Sequence, residues 1–258
     1  MPRATKPPPA PLHPTDDVAA NLAAARGVIA NAAAAVGRDP AAVTLVAVSK
    51  VQPVEKVEAA LAAGHRVFGE NRVQEAKAKF PALRARYPDI ELHLIGPLQT
   101  NKVKDAVALF DVIQTLDRPK LAQALAEECR RQNRRPRLYV EVNTGGEPQK
   151  AGIAPADLPP FLAACRDDWG LSVEGLMAIP PAEEEPSMHF ALLAALAREH
   201  GLTGLSMGMT GDFDVAVRLG AGMVRIGTGI FGERVKPATS PESAPESAPE
   251  STPASGHT

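Results

Sequence analysis

One lysine in this sequence stands where an amine can become a reagent. Lys50 follows the run VTLVAVS (43–49) and precedes Val51, Gln52 and the loop residue Pro53. The run reads as a strand, so the lysine begins at a strand end beside desolvated surroundings that lower an amine's pKa and let it condense with an aldehyde. A lone strand-end lysine more often only carries its charge out to water. Two later segments change that balance. Leu205-Ser206-Met207-Gly208-Met209-Thr210-Gly211 closes one apolar run, and Arg225-Ile226-Gly227-Thr228-Gly229 closes another. Small residues there let backbone N–H groups approach an anion while Ser and Thr add donors, which is how barrel enzymes often hold a phosphate. A ligand with an aldehyde at one end and a phosphate at the other is described, and pyridoxal 5′-phosphate (PLP) fits.

The elements that must position these residues alternate. Apolar or β-branched runs lie at 43–49, 66–70, 91–96, 111–116, 137–143, 172–179, 202–208 and 223–228. Between them are stretches with helical spacing, such as Val54, Val57 and Leu61, or Ala76, Phe80 and Leu83, or Leu121 and Leu125. Repeated βα units demand parallel strands with right-handed crossovers, and eight of them close into a (β/α)8 TIM barrel, with a doubly wound open sheet as the alternative. An extra N-terminal helix is expected with Thr15 as N-cap, Val18, Leu22, Ala25, Ile29, Ala32 and Val36 on one face, and Gly37 at its end. Only Gly229-Ile230-Phe231-Gly232 follows the last strand before a polar tail, so that helix could cover the flank of a short eighth helix.

Composition bounds the rest. At 258 residues, 45% hydrophobic and 22% charged, the chain can bury a large core. Residues 1–14 carry six prolines, and from Lys236 a Pro-Glu-Ser repeat runs without a large apolar residue, so a folded unit over 15–235 is expected between disordered tails at 1–14 and 236–258. A net charge of −2 argues against binding to nucleic acid or to an anionic membrane surface. No apolar run is long enough for a bilayer span and no secretory h-region opens the chain, so a cytoplasmic protein is expected. Cys129 and Cys165 have neither CxxC spacing nor a histidine at a metal-ligand offset, and each reads as a small buried hydrophobe on a helix. The arginines 130, 131, 134, 135 and 137 read as a solvated, dipole-complementing helix end.

Six ordered segments, LVAVSK (45–50), FGENRVQEA (68–76), HLIGPLQTNK (93–102), GLMAIP (175–180), LSMGMT (205–210) and MVRIGTGIFGER (223–234), resemble the pyridoxal phosphate homeostasis proteins, which look like a stand-alone alanine racemase barrel. The resemblance covers the whole folded unit. It implies that Lys50 carries the Schiff base with PLP, that Ser206 with the backbone of Gly208, Gly227 and Thr228 holds the phosphate, and that Arg225 faces the ring or phosphate. Asn71 matches a residue lining the cofactor pocket, although Asn71 with Gln74 also reads as a capping box. His93 shares a strand face with Ile95, and which face is interior stays open at this level. The chain departs from the family at Leu92, often aromatic there, and in VNTGGEPQKAG (142–152). If Arg225 faces the pyridine nitrogen, its permanent charge keeps that nitrogen unprotonated and restrains carbanion chemistry. Neither Tyr87, before Pro88 at a helix end, nor Tyr139, in mid-strand, is placed as an acid over the cofactor. The expected function is PLP homeostasis: a monomeric carrier or buffer with no catalytic residue of its own and PLP-dependent apo-enzymes as partners. A racemase-like PLP enzyme and a class I aldolase-like barrel are the alternatives, the last expected to be colourless.

Overall fold

A computed structural model describes residues 12–233. In chain order they form α1 (Val18–Ala34), β1 (Thr44–Val48), α2 (Val54–Ala62), β2 (Val67–Glu70), α3 (Val73–Arg86), β3 (Glu91–Leu94), α4 (Val103–Leu109), β4 (Val112–Leu116) and α5 (Pro119–Gln132). Then follow β5 (Arg137–Glu141), α6 (Leu158–Asp167), β6 (Val173–Met177), α7 (Pro186–Glu199), β7 (Gly204–Ser206), α8 (Phe213–Arg218), β8 (Met223–Ile226) and α9 (Thr228–Phe231). Each strand pairs in parallel with the next, and β8 pairs with β1, so the sheet closes into the expected TIM barrel. The strands are shorter than the runs that announced them because residues such as Gly96 and Gly227 already belong to the carboxyl-end loops.

Alternation along the strands divides the core into two layers. Val46, Val112, Tyr139, Met177 and Met223 fill the barrel, while Leu45, Phe68, Leu92, Leu94, Val140 and Leu176 pack outward against the helices. Since Leu92 and Leu94 face outward, His93 faces inward, which settles the face left open by the sequence. Tyr139 needs glycine opposite it. A Cβ on Gly204 would lie 2.5 Å from the Tyr139 hydroxyl oxygen, and one on Gly175 would lie 2.2 Å from the Gly204 carbonyl oxygen.

The extra helix α1 packs against α2, α8 and α9, the flank that the four-residue α9 leaves open. Its buried Asn21 donates to the Ile230 carbonyl at 2.8 Å. Its N-cap is Asp17 and not Thr15. The Asp17 carboxylate accepts from the N–H groups of Ala19 at 2.9 Å and Ala20 at 3.1 Å, a reach possible only from the residue next to Val18. Val36 is exposed at 44% instead of continuing the buried face, because the helix ends at Ala34 and turns through Gly37 at φ 69°. Of the proline-rich segment only residues 12–14 are described, and Leu12 packs against the core. The remainder of the expected tails, 1–11 and 236–258, lies outside the described residues. Cys165 is buried as expected and its thiol is pushed up to about 12 by burial, whereas Cys129 is only half-buried at the edge of the α5 stripe. No helix among the described residues is long and apolar enough to cross a membrane.

Candidate functional site

The expected site residues fall on the carboxyl ends of four contiguous strands, in the order β7, β8, β1, β2 around the rim. Ser206 ends β7 and Gly208 lies two residues beyond. Arg225 is in β8, with Gly227 and Thr228 just after it; Lys50 follows β1 and Asn71 follows β2. Ser206, Gly208 and Arg225 are buried, Lys50, Asn71 and Gly227 are half-buried, and Thr228 is exposed. The loop after β7 is tied to β8 because the Arg225 N–H donates to the Gly208 carbonyl at 3.0 Å. Position 208 requires glycine: its φ is 91°, and a Cβ there would sit 2.5 Å from that of Ala216 in α8. Thr228 donates from its hydroxyl to that of Thr210 at 3.4 Å, joining the two phosphate-loop candidates across the rim.

Arg225 is the anchor of a buried polar column. Its guanidinium donates to the Ser206 hydroxyl at 2.7 Å and to the Ala178 carbonyl at 3.0 Å. Ser206 donates to Gln114 Oε1 at 2.5 Å, Gln114 Nε2 donates to His93 Nδ1 at 2.7 Å, and His93 Nε2 donates to Glu91 Oε1 at 2.7 Å. The column ends at Arg137, which meets Glu91 at 2.7 Å at the amino end of the barrel. The proton positions follow from the two ends: a guanidinium only donates and a carboxylate only accepts, so the ambivalent groups between them are polarised one way. His93 is therefore the neutral Nε2–H tautomer, consistent with burial lowering its pKa against the opposing pull of Glu91.

Charge at the mouth is set by burial. Arg225 is lowered to about 10 by desolvation, with Glu141 and Asp212 acting against the shift, so it remains a cation at neutral pH. Glu141, at the end of β5, is raised to about 7 by desolvation, with Asp117 adding to the rise and Arg225 opposing it. Asp212 is also raised by burial, opposed by the Met209 N–H, which it accepts at 2.5 Å, and by Arg225.

Asn71 does not cap α3. The N-cap is Arg72, without a side-chain cap bond, because the helix begins at Val73. Freed from that role, Asn71 keeps a buried amide oxygen with no hydrogen-bond partner. It lines a cavity of about 610 Å³ with Arg72, Gln74, Gln99 and Lys102, to one side of the arc on the β2 and β3 loops. The turn that carries Lys50 has an uncommon backbone: Val51, immediately after it, has φ 60°.

Several residues that shape the site were not singled out from the sequence. Gln114 and Glu141 lie within strand runs, where one polar residue amid apolar neighbours is a signal of a polar interior position. Glu70 closes the 66–70 strand run in the same way, whereas Lys79 gave no comparable signal. The arginine cluster faces solvent as expected, with Arg130, Arg131, Arg135 and Arg137 exposed, and it also makes contacts: Arg137 joins the column, Arg131 pairs with Glu128, and Arg134 donates to the Ala108 carbonyl at 2.8 Å. Among the described residues no group of His, Cys, Asp and Glu could hold a metal ion.

A profile of the family described as "Alanine racemase, N-terminal domain" matches residues 20–235. The chain is 44% identical over 226 residues to the pyridoxal phosphate homeostasis protein of Pseudomonas aeruginosa, covering 84% of this chain and 96% of that one. It is 37% identical over 228 residues to the protein of that name from Escherichia coli K12, covering 85% and 97%. Among solved structures, PipY of Synechococcus elongatus with PLP bound aligns with a TM-score of 0.73 at 38% identity, covering 83% of this chain and 100% of that one. The alanine racemase of Corynebacterium glutamicum, at 20% identity and a TM-score of 0.61, shares the fold.

Proposed function

The chain belongs to the family of pyridoxal phosphate homeostasis proteins, within the alanine racemase N-terminal domain family, and from that premise we propose that it binds PLP and buffers or carries it for apo-enzymes that need it. The observation that carries this reading is the assembly of strand-end Lys50 and the buried Ser206–Arg225 pair on contiguous strands of one barrel rim. The residues present suit the cofactor. Lys50 supplies the amine for its aldehyde. Gly208, Gly227 and Thr228 supply small-residue backbone and a hydroxyl for its phosphate, Ser206 joins them by turning its one hydroxyl proton from Gln114 to the phosphate, and Asn71 brings to the rim a buried amide oxygen still without a partner. When bound, PLP supplies an electrophilic aldehyde on an electron-withdrawing ring.

The chain's own residues favour storage over turnover. Arg225 stays cationic, so a ring nitrogen facing it is kept unprotonated and the ring withdraws electrons weakly. Neither tyrosine is placed to move a proton at the mouth. The Tyr139 hydroxyl donates to Glu174 at 3.0 Å, and burial, first among its causes, raises its pKa. Tyr87 caps the end of α3 under the guanidinium groups of Arg66 and Arg86. A monomer in the cytoplasm is the setting that suits this role.

The test is one absorption spectrum with its chemistry. Purified wild type with PLP is expected to show a visible band, borohydride is expected to fix a pyridoxyl group on the peptide containing Lys50, and Lys50→Ala is expected to lose both. An adduct mainly on Lys102 or Lys150 would overturn the assignment. Incubation with D- and L-alanine in deuterated buffer is expected to give α-proton exchange barely above that of free PLP, whereas turnover on the order of 1 s⁻¹ would make the protein an enzyme.

A further inference from the structure

We propose that Lys79, acting through Glu70 and Glu75, is a positioning residue that grips the backbone on both sides of Lys50 and so aims its amine at the ligand's aldehyde; the proposal rests on the reading above that Lys50 makes that link.

The Ser49 carbonyl accepts from the Gln52 N–H at 3.1 Å, which makes residues 49–52 a tight turn with Lys50 at its first corner and Val51 at its second. A second corner with positive φ favours glycine or asparagine, yet Val51 holds φ 60° there although β-branched and 53% exposed. Its own packing does not impose that conformation, so something else must. What surrounds it is a nearly buried ammonium. Lys79, in α3 and 9% exposed, donates to the Ser49 carbonyl at 2.9 Å, to Glu70 Oε1 at 3.0 Å and to Glu75 Oε1 at 3.1 Å, which uses all three of its protons. Each carboxylate then takes one flank of the turn. Glu70 Oε1 accepts the Ser49 hydroxyl at 2.7 Å, and Glu75 Oε1 accepts the Val51 N–H at 2.5 Å. The residues immediately before and after Lys50 are thereby fastened to one cation, with their hydroxyl, carbonyl and N–H groups all engaged.

The reacting step needs that aim. The Lys50 amine adds to the aldehyde carbon, a C=N bond replaces C=O, and the oxygen leaves with the two amine protons as water; nothing is oxidised or reduced. Without the clamp Val51 relaxes toward negative φ, and the Cα–Cβ direction of Lys50 turns with it. Binding of the phosphate and ring, which uses the β7 and β8 loops, does not depend on this turn.

Two ligands separate aim from binding: PLP, and pyridoxine 5′-phosphate, which carries a hydroxymethyl group in place of the aldehyde. In the full chain, Lys79→Met and Glu75→Ala are expected to bind pyridoxine 5′-phosphate within about twofold of wild type. The visible band with PLP is expected to form about tenfold to a hundredfold more slowly. Glu75→Ala removes the Val51 anchor and one of the three acceptors of Lys79 at a partly exposed helix position, and leaves the Ser49 side of the clamp in place, so it carries the test if Lys79→Met does not fold. A band that forms at the wild-type rate in Glu75→Ala, or equal weakening of both ligands, would overturn the proposal. Failure of the underlying reading looks different: wild type itself would show no band and no borohydride-fixed adduct on Lys50, and the proposal would fall with it.

Discussion

Glu141 and Arg225 face one another electrostatically at the mouth, and only one of them titrates near neutrality. Burial raises Glu141 to about 7 from 4.5, so the folded protein holds a proton there that the unfolded chain has released. The associated stability is therefore fully present below about pH 4.5 and is lost as pH rises through about 7, at a cost of roughly 1–3 kcal/mol by pH 8. Glu141→Gln removes that cost. Denaturant unfolding at pH 5.5 and 8 is expected to show the variant gaining on wild type at the higher pH; parallel changes in both proteins would mean that Glu141 does not titrate in this window. At this scale legibility depended on where a residue stands in its run. Lys50, Ser206 and Arg225 sit at or beside the change from apolar strand to small loop residues, which any rim-binding barrel makes conspicuous. Lys79 does not, because a lysine in AKAKF on a helix reads as a solvated face until α3 is folded against β1 and β2.

Elements were legible where their signal is repeated and obscure where it is single. Each strand is announced by several β-branched or apolar residues, and tertiary pairing only trims its ends. Caps rest on one side chain among neighbours of the same type: Thr15, Asp16 and Asp17 all carry a side-chain oxygen, but only Asp17 adjoins Val18 and reaches the first-turn N–H groups, while Thr15 is held by Asn21, whose Oδ1 accepts the Thr15 N–H at 2.9 Å. At β7 the governing feature is an absence of side chain. Gly204→Ala would place a methyl 2.5 Å from the hydroxyl oxygen of a tyrosine buried to 1%, and is expected to destabilise the protein by about 1–3 kcal/mol, read as a lower denaturation midpoint with an unchanged slope. An unchanged midpoint would show that the Tyr139 ring can slide along the barrel axis.

For the molecule as a whole, the eightfold alternation was sufficient to name the barrel, since a closed parallel sheet is what so many βα units make in a chain of this size. The interior was not legible in the same way. A hydrophobic pattern says that strands bury one face, but a polar column from Arg225 to Glu91 requires residues from β8, β7, β4 and β3 to meet, and sequence separations such as the 109 positions between Gln114 and Met223, whose sulfur receives the Gln114 amide at 3.6 Å, carry no local trace.

The place of α1 bears on how the gene for such a barrel could be rearranged. A helix following β8 would occupy the groove between the neighbours of β8 and β1, and α1 fills that groove from the opposite terminus, pinned to Ile230 through Asn21. Among the described residues only the one-turn α9 follows β8, and the long helix on that flank comes from before β1. A circular permutant that begins near Asp39 and carries residues 12–38 after Glu233 through a short flexible linker is expected to fold with a melting temperature within a few degrees of the parent and to retain the PLP band. If it does not fold, α1 must contribute before β1 is made, and its position in the chain is a matter of folding order as well as of packing.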